Sequence, residues 1–199
     1  MSKDWTGNSK SVFTTLGASN NSDKERAQHD YYATDPKAAH LLIEVEPSLS
    51  NIWECACGER HLANVFEQYG LLGRASDLID RCGNEVLDFL STEEHWGGDI
   101  VTNPPYKYAQ EFIEKALSSI DDRHKVCMFL KVSFLEGKRR KRMFLEHPPK
   151  VIYVSSSRLN CAANGNFDAM KETGSSPIAY AWYVWEKGYK GDTIIKWIN

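Results

Sequence analysis

The stretch from Asp99 to Tyr106 constrains this chain more than any other. Ile100-Val101-Thr102 is a short β-branched run suited to a buried strand, and Asn103-Pro104-Pro105-Tyr106 follows it directly. Two consecutive prolines fix the backbone and stop a helix from starting at once, so the strand must end in a rigid turn. Such a turn holds the Asn103 amide and the Pro104 carbonyl as adjacent hydrogen-bond acceptors and presents Tyr106 as a flat face. The bland alternative is a proline-rich turn of purely structural use.

Around this unit, short apolar runs alternate with segments of helical spacing. Asp35-Pro36 opens a helix through Leu41, Leu42 and Val45, with a capping side chain and a proline in the first turn. A strand is expected over Asn51–Cys55 and a helix over Glu59–Tyr69, closed by Gly70. Strands follow at Leu71–Ser76 and Asp99–Thr102, then a helix over 109–119 and a buried strand at Lys125–Leu130. Phe134–Leu145 is expected as a strongly basic helix, Val151–Val154 as a strand, and Ile178–Trp185 with Thr193–Ile198 as a terminal hairpin around Gly188 and Gly191. The alternation predicts a doubly wound α/β sheet with antiparallel strands added late. Residues 1–29 are read as an extended arm and 30–199 as one domain, with a lid-like loop at 155–176 whose length marks a functional or disordered segment.

Composition removes several classes. No apolar run approaches the ~18 residues of a membrane helix, and the polar N-terminus lacks a signal-peptide core. The five cysteines form no CxxC pair and the six histidines no HExxH, so no metal is expected and the thiols are read as reduced, in a cytoplasmic protein. Net charge is −3, so any nucleic-acid surface must be local. Residues 131–150 supply one: seven Lys or Arg stand against two Glu, including Lys138, Arg139, Arg140, Lys141 and Arg142 in succession. Phosphate contact is the functional reading and a solvated face the alternative. Five in a row cover every helix face, so part of the run must pack through its aliphatic stems or leave the helix.

Three further features bear on chemistry. Glu54-Cys55-Ala56-Cys57-Gly58 joins a strand to a helix, where small residues let a ligand approach the positive helix terminus; a tight structural turn is the alternative. Asp77, at the end of the next strand, is spaced to accept hydrogen bonds from ribose hydroxyls, with Asp80 as competitor. Asp88-Phe89 pairs an acceptor for an exocyclic amine with a ring to cover a base. Together they suggest a nucleoside-containing cofactor.

In these motifs and their order the chain resembles the S-adenosylmethionine-dependent amino-methyltransferases, especially the DNA adenine-N6 enzymes of phages and prophages. Tyr31-Tyr32-Ala33-Thr34-Asp35-Pro36 is similar to the family's N-terminal cofactor motif, Trp53–Gly58 to its cofactor loop, Ser76-Asp77 to its ribose acid and Asp88-Phe89 to its adenine clamp. Asn103–Tyr106 is similar to its catalytic motif. The resemblance implies a class I methyltransferase (Rossmann-like) fold: a seven-stranded, mostly parallel sheet with one antiparallel strand and helices on both faces. It implies S-adenosylmethionine as cofactor, held by Tyr32, Thr34, Glu54, Ala56, Cys57, Gly58, Asp77, Asp88, Phe89 and Asn103. The catalytic residues implied are Asn103, Pro104, Pro105 and Tyr106. One departure is Arg60, where the family carries a second glycine.

The activity implied is methyl transfer to the N6 amine of a flipped adenine in DNA, in a bacterial or phage-infected cell. RNA adenine-N6 transfer, DNA cytosine-N4 transfer and a catalytically degenerate nucleic-acid-binding relative are the alternatives. Trp182 or Trp185 is a candidate to close the side of the base opposite Tyr106, core packing being the other reading. No separate target-recognition domain follows the last motif, so sequence choice is expected from short inserts.

Overall fold

The computed structural model describes residues 32–159, 161–163 and 178–199. The arm at 1–29 and most of the loop at 155–176 lie outside them. The elements are β1 (Tyr32–Thr34), α1 (Lys37–Val45), β2 (Ile52–Glu54), α2 (His61–Gln68), β3 (Leu72–Asp77), β4 (Glu85–Val86), β5 (Ile100–Thr102), α3 (Ala109–Ser119) and β6 (Lys125–Lys131). They continue with α4 (Lys141–Glu146), β7 (Val151–Ser155), β8 (Cys161–Ala163), β9 (Tyr180–Glu186) and β10 (Ile194–Ile198).

Eight strands form one sheet in the order β10-β7-β9-β6-β5-β2-β3-β4, in which β9 alone is antiparallel to its neighbours. This is the expected mostly parallel α/β sheet, one strand larger than the seven anticipated. β1 and β8 form a separate antiparallel ribbon with Thr34 opposite Cys161. Period-two alternation sorts the core onto two faces. From β6, Cys127 and Phe129 pack with α1 and α2, whereas Val126, Met128 and Leu130 pack with α3 and Met143 of α4. Asp35 helps start α1, its Oδ1 accepting the Lys37 N–H at 2.9 Å.

Two expectations fail. β9 and β10 are not a hairpin: β7 lies between them, and β10 runs parallel to β7 from Ile194↔Val151 to Ile198↔Ser155. β9 is buried on both faces and pairs with β6 on one side and β7 on the other, whereas β10 is mostly exposed and lies at the rim. Nor is 134–145 one helix. A 3-10 turn covers Val132–Leu135, Gly137 takes φ +128°, outside the helical range, and only Lys141–Glu146 is α-helical. The basic run therefore lies across a turn.

The entry ends of the central strands are tied by one buried carboxylate. Asp99 accepts the Ser50 N–H through Oδ2 and the Lys125 N–H through Oδ1, each at 2.8 Å, and is 3% exposed. It thereby joins the starts of β2, β5 and β6. Asp99→Ala leaves two backbone donors unpaired and is expected to lower stability by about 2–4 kcal/mol. Urea unfolding followed by circular dichroism measures this. A midpoint indistinguishable from that of the parent chain refutes the pinning role.

Candidate active site

The strand order reverses between β2 and β5: from β2 the chain moves outward to β3 and β4, from β5 the other way to β6. Ligand crevices of open α/β sheets form at such a point, beyond the carboxyl ends of the strands. A groove of about 660 Å³, open mouth included, lies there. Glu54 ends β2 and Asp77 ends β3 on its walls, and Ala56 and Cys57 line it between them. Asn103, Pro104, Pro105 and Tyr106 line it after β5, with Tyr32 and Thr34 of the ribbon opposite.

Asn103 is the most constrained of these. Its Nδ2 donates to the Tyr32 carbonyl at 3.1 Å and the Thr34 hydroxyl oxygen at 2.8 Å, with the Cys161 sulfur at 3.9 Å. A carbonyl can only accept, so the nitrogen end must face Tyr32. Oδ1 is left buried with no partner among the described residues. Buried polar atoms are rarely unpaired, and one in a groove wall marks a place for a donor from outside.

Tyr106 begins a short 3-10 turn after Pro105. Its ring lies 5.7 Å from Tyr32 and is stacked on Tyr180 at 6.1 Å. Burial raises the phenol pKa well above its usual value, so the hydroxyl keeps its proton and donates to Cys161 Sγ at 3.5 Å. Burial likewise pushes the Cys161 thiol up to about 11, so it is not a thiolate at neutral pH.

Also lining the groove, Glu54 is 2% exposed and its Oε2 has no partner among the described residues. Burial raises its pKa well above the ordinary carboxylate value, opposed by the Ala63 N–H and by Arg60. Asp77 is committed differently: Oδ2 accepts the Gly58 N–H at 2.8 Å, and Oδ1 accepts from the Ile79 N–H and from Arg81. Gly58 shapes the loop at φ +52° without lining the groove. Arg60 has φ +65°, the left-handed backbone that favours glycine. Its side chain turns away from the groove to Glu67, Asn64 and Asn84.

Other expected site residues are not brought to the groove. Asp80 caps its own turn through the Cys82, Gly83 and Asn84 N–H groups. Asp88 likewise stays local, accepting the Leu90 N–H and the Ser91 hydroxyl. Phe89 lies in the core, edge-on to Trp53 and 5.2 Å from Phe112, rather than clamping a ligand. Trp185, expected at the nucleic-acid surface, is 1% exposed and donates to the His147 carbonyl, so it can cover no base; Trp182 is equally buried. β9 is central in the sheet, and its large aromatics fill both faces.

The basic run divides. Arg140 folds inward onto the Phe134 ring and the Phe134 and Glu136 carbonyls, and Arg142 pairs with Glu146 at 2.7 Å. Lys138, Arg139 and Lys141 are exposed, with no ion pair among the described residues. Sequence reasoning missed Leu78, Ile79 and Arg81 on the groove wall, although they directly follow Asp77. It also missed Cys161 beside Asn103, in a stretch without periodicity. Among the described residues, no three or more His, Cys, Asp or Glu cluster as metal ligands, and no helix is long and apolar enough to cross a membrane.

No protein-family model matches the chain, and no curated protein sequence matches it. Solved structures do. A Listeria monocytogenes protein assigned to the class I S-adenosylmethionine-dependent methyltransferases is similar at 14% identity and a TM-score of 0.60, over 88% of this chain and 68% of that one. A Pyrococcus horikoshii protein assigned as an RNA methyltransferase is similar at 12% identity and 0.55, over 89% and 98%. A Thermotoga maritima S-adenosylmethionine-dependent O-methyltransferase is similar at 14% identity and 0.51, over 79% and 67%. At such identities the likeness is one of architecture, and the chain has the class I methyltransferase fold.

Proposed function

We propose that the chain transfers a methyl group from S-adenosylmethionine to the exocyclic N6 amine of an adenine flipped out of DNA. The observation that carries this is the unpartnered Asn103 Oδ1, held toward the groove by the two acceptors on its own Nδ2. The groove suits the cofactor: its lining includes a buried carboxyl with one orphan oxygen, Glu54, suited to a cationic group. Tyr32, Thr34, Ala56, Cys57 and Asp77 are the other residues that would hold it, with Gly58 shaping the loop.

S-adenosylmethionine supplies, when bound, an electrophilic methyl group on a positively charged sulfur. The amine of adenine is a poor nucleophile because its lone pair is delocalised into the ring. Asn103 Oδ1 and the Pro104 carbonyl accept its two hydrogens, which favours a more pyramidal nitrogen with the lone pair exposed. Positioning and charge stabilisation provide the acceleration, and no strong base is required. The target base must leave the stack, and the Tyr106 ring offers it a face worth ~1–3 kcal/mol. Lys138, Arg139 and Lys141 supply phosphate contacts on an otherwise acidic protein. RNA adenine is the second reading, favoured by the similarity in fold to the Pyrococcus protein over nearly its whole length.

Incubation with S-adenosylmethionine and unmethylated DNA or RNA, followed by nucleoside digestion and mass spectrometry, tests the assignment. N6-methyladenine is expected in the DNA digest, and its appearance in RNA alone moves the substrate to RNA. Asn103→Ala is expected to lose about 10²–10³-fold or more in rate while still binding cofactor; an active variant sinks the mechanism.

The raised pKa of Glu54 sets a pH dependence. Its folded pKa exceeds its unfolded one, so its contribution to folding is present at low pH and lost as pH rises through the folded value. A cation beside it favours the ionised form. Cofactor binding is therefore expected to expel a proton and to tighten as pH rises through that value. Calorimetry in buffers of different ionisation enthalpy reads this, and Glu54→Gln is expected to abolish it; proton release unchanged in Glu54→Gln assigns the effect elsewhere.

Replacing Lys138, Arg139 and Lys141 with alanine is expected to flatten the salt slope of duplex binding by about 2–3 units, from ~0.9 per phosphate contact. Arg140→Ala is expected instead to cost stability. An unchanged slope in the triple variant assigns the run to solvent.

A further inference from the structure

Lys131 is the last residue of β6, and its ammonium nitrogen lies 4.6 Å from the centroid of the Tyr106 ring. β6 pairs with β5 through Thr102↔Met128, so the strand that delivers Asn103 and the strand that delivers Lys131 are neighbours. The charge of Lys131 is felt at the Cys161 sulfur, where it opposes the effect of burial. No carboxylate among the described residues lies within ion-pair distance of it. The 3-10 turn Val132–Leu135 continues directly from it, and Arg140 folds the basic turn back onto that segment through the Phe134 carbonyl and ring. Lys131 is thus joined at one end to the catalytic turn and at the other to the segment carrying Lys138 and Arg139.

A lysine in this position is not explained by packing or by an internal ion pair. An ammonium on an aromatic face is held only weakly at a partly exposed site. A phosphate offers a charge-assisted hydrogen bond roughly twice as strong as a neutral one. The four-carbon stem is flexible enough to exchange one partner for the other. Lys131 does not itself line the groove but lies over the ring of Tyr106, which does. In a nucleic acid the phosphate lies one sugar away from its base, so a base brought against Tyr106 carries a phosphate within reach of the flexible Lys131 stem.

We propose that Lys131 binds the backbone phosphate of the nucleotide whose base is presented to Asn103, leaving its resting seat on Tyr106 as the base arrives. This rests on the methyl-transfer reading given above and deepens it: the substrate is a base within a polynucleotide, and a free nucleoside is discriminated against. Lys131 is a positioning residue that acts on substrate affinity, separate from the amine acceptors.

The test compares Lys131→Met, which keeps the stem, with Lys131→Arg, which keeps the charge. For methyl transfer to an oligonucleotide, Lys131→Met is expected to raise KM about tenfold, the loss of one charge-assisted contact, with a far smaller change in kcat. Lys131→Arg is expected to restore most of the affinity. Cofactor affinity is expected to be the same in all three proteins. In direct binding of a fluorescein-labelled oligonucleotide, the salt slope is expected to become shallower by ~0.7–0.9 in Lys131→Met. A fall in kcat at constant KM, an unchanged salt slope, or equal turnover of free deoxyadenosine and oligonucleotide overturns the proposal. If the parent protein methylates neither DNA nor RNA, the methyl-transfer reading fails on its own. The phosphate contact then stands or falls by the salt slope of direct binding.

Discussion

A side-chain amide can be turned end for end at almost no intrinsic cost, so a site that needs its oxygen must hold its nitrogen. In this chain the Tyr32 carbonyl and the Thr34 hydroxyl hold the Asn103 nitrogen, and the position of both depends on the β1–β8 ribbon. The ribbon is fixed in turn from two sides. Thr34 runs into α1, whose Ala38 carbonyl accepts the indole N–H of Trp182 in the middle of the sheet at 2.8 Å. Cys161 is buried, as is Tyr180, and lies among Asn103, Tyr106 and Tyr180. The orientation of one amide therefore draws on the N-terminal strand, the loop after β7 and the antiparallel strand β9.

Polar groups are distributed unevenly along the strand axis. At the entry ends of the strands, the buried carboxylates have full sets of partners: Asp99 takes two backbone donors, and Glu46 takes the Lys125 ammonium and the Tyr153 hydroxyl. At the exit ends, Glu54 Oε2, Thr102 Oγ1 and Asn103 Oδ1 are buried and unpaired among the described residues. Unpaired buried polar atoms destabilise a fold, so their concentration at one end separates the end of the sheet whose polar groups are satisfied from the end left able to take donors from outside.

How much of this was legible in the sequence depends on how local the determinants are. The bounds of α3 follow from the spacing of Phe112, Ile113, Ala116 and Leu117 and from the prolines before it. The placement of Asp77 and Asn103 follows from the ends of apolar runs. What failed depends on partners far along the chain. Trp185 and Phe89 are aromatics whose exposure is set by the layers above and below them, and neither spacing nor neighbours reveal that. The separation of β9 from β10 is decided by β7 inserting between them. β8 is three residues in a polar stretch and pairs in a separate ribbon with β1, which precedes all eight strands of the main sheet in the chain. Gly137 is a different case: a single local residue with φ +128° outweighs a helix-favouring run.

The late position of β8 and β9 has a consequence for how the protein comes into being. β9 fills the centre of the sheet between β6 and β7, yet it is read from the message after both of them. The ribbon that orients Asn103 pairs residue 32 with residue 163. Contacts of such large sequence separation form late because the intervening loop must be closed first. A nascent chain that has emerged as far as β7 carries the acceptor asparagine but neither the ribbon that turns its amide nor the strand that completes the core. The groove and the orientation of the Asn103 amide thus wait on strands that follow β7 in the chain.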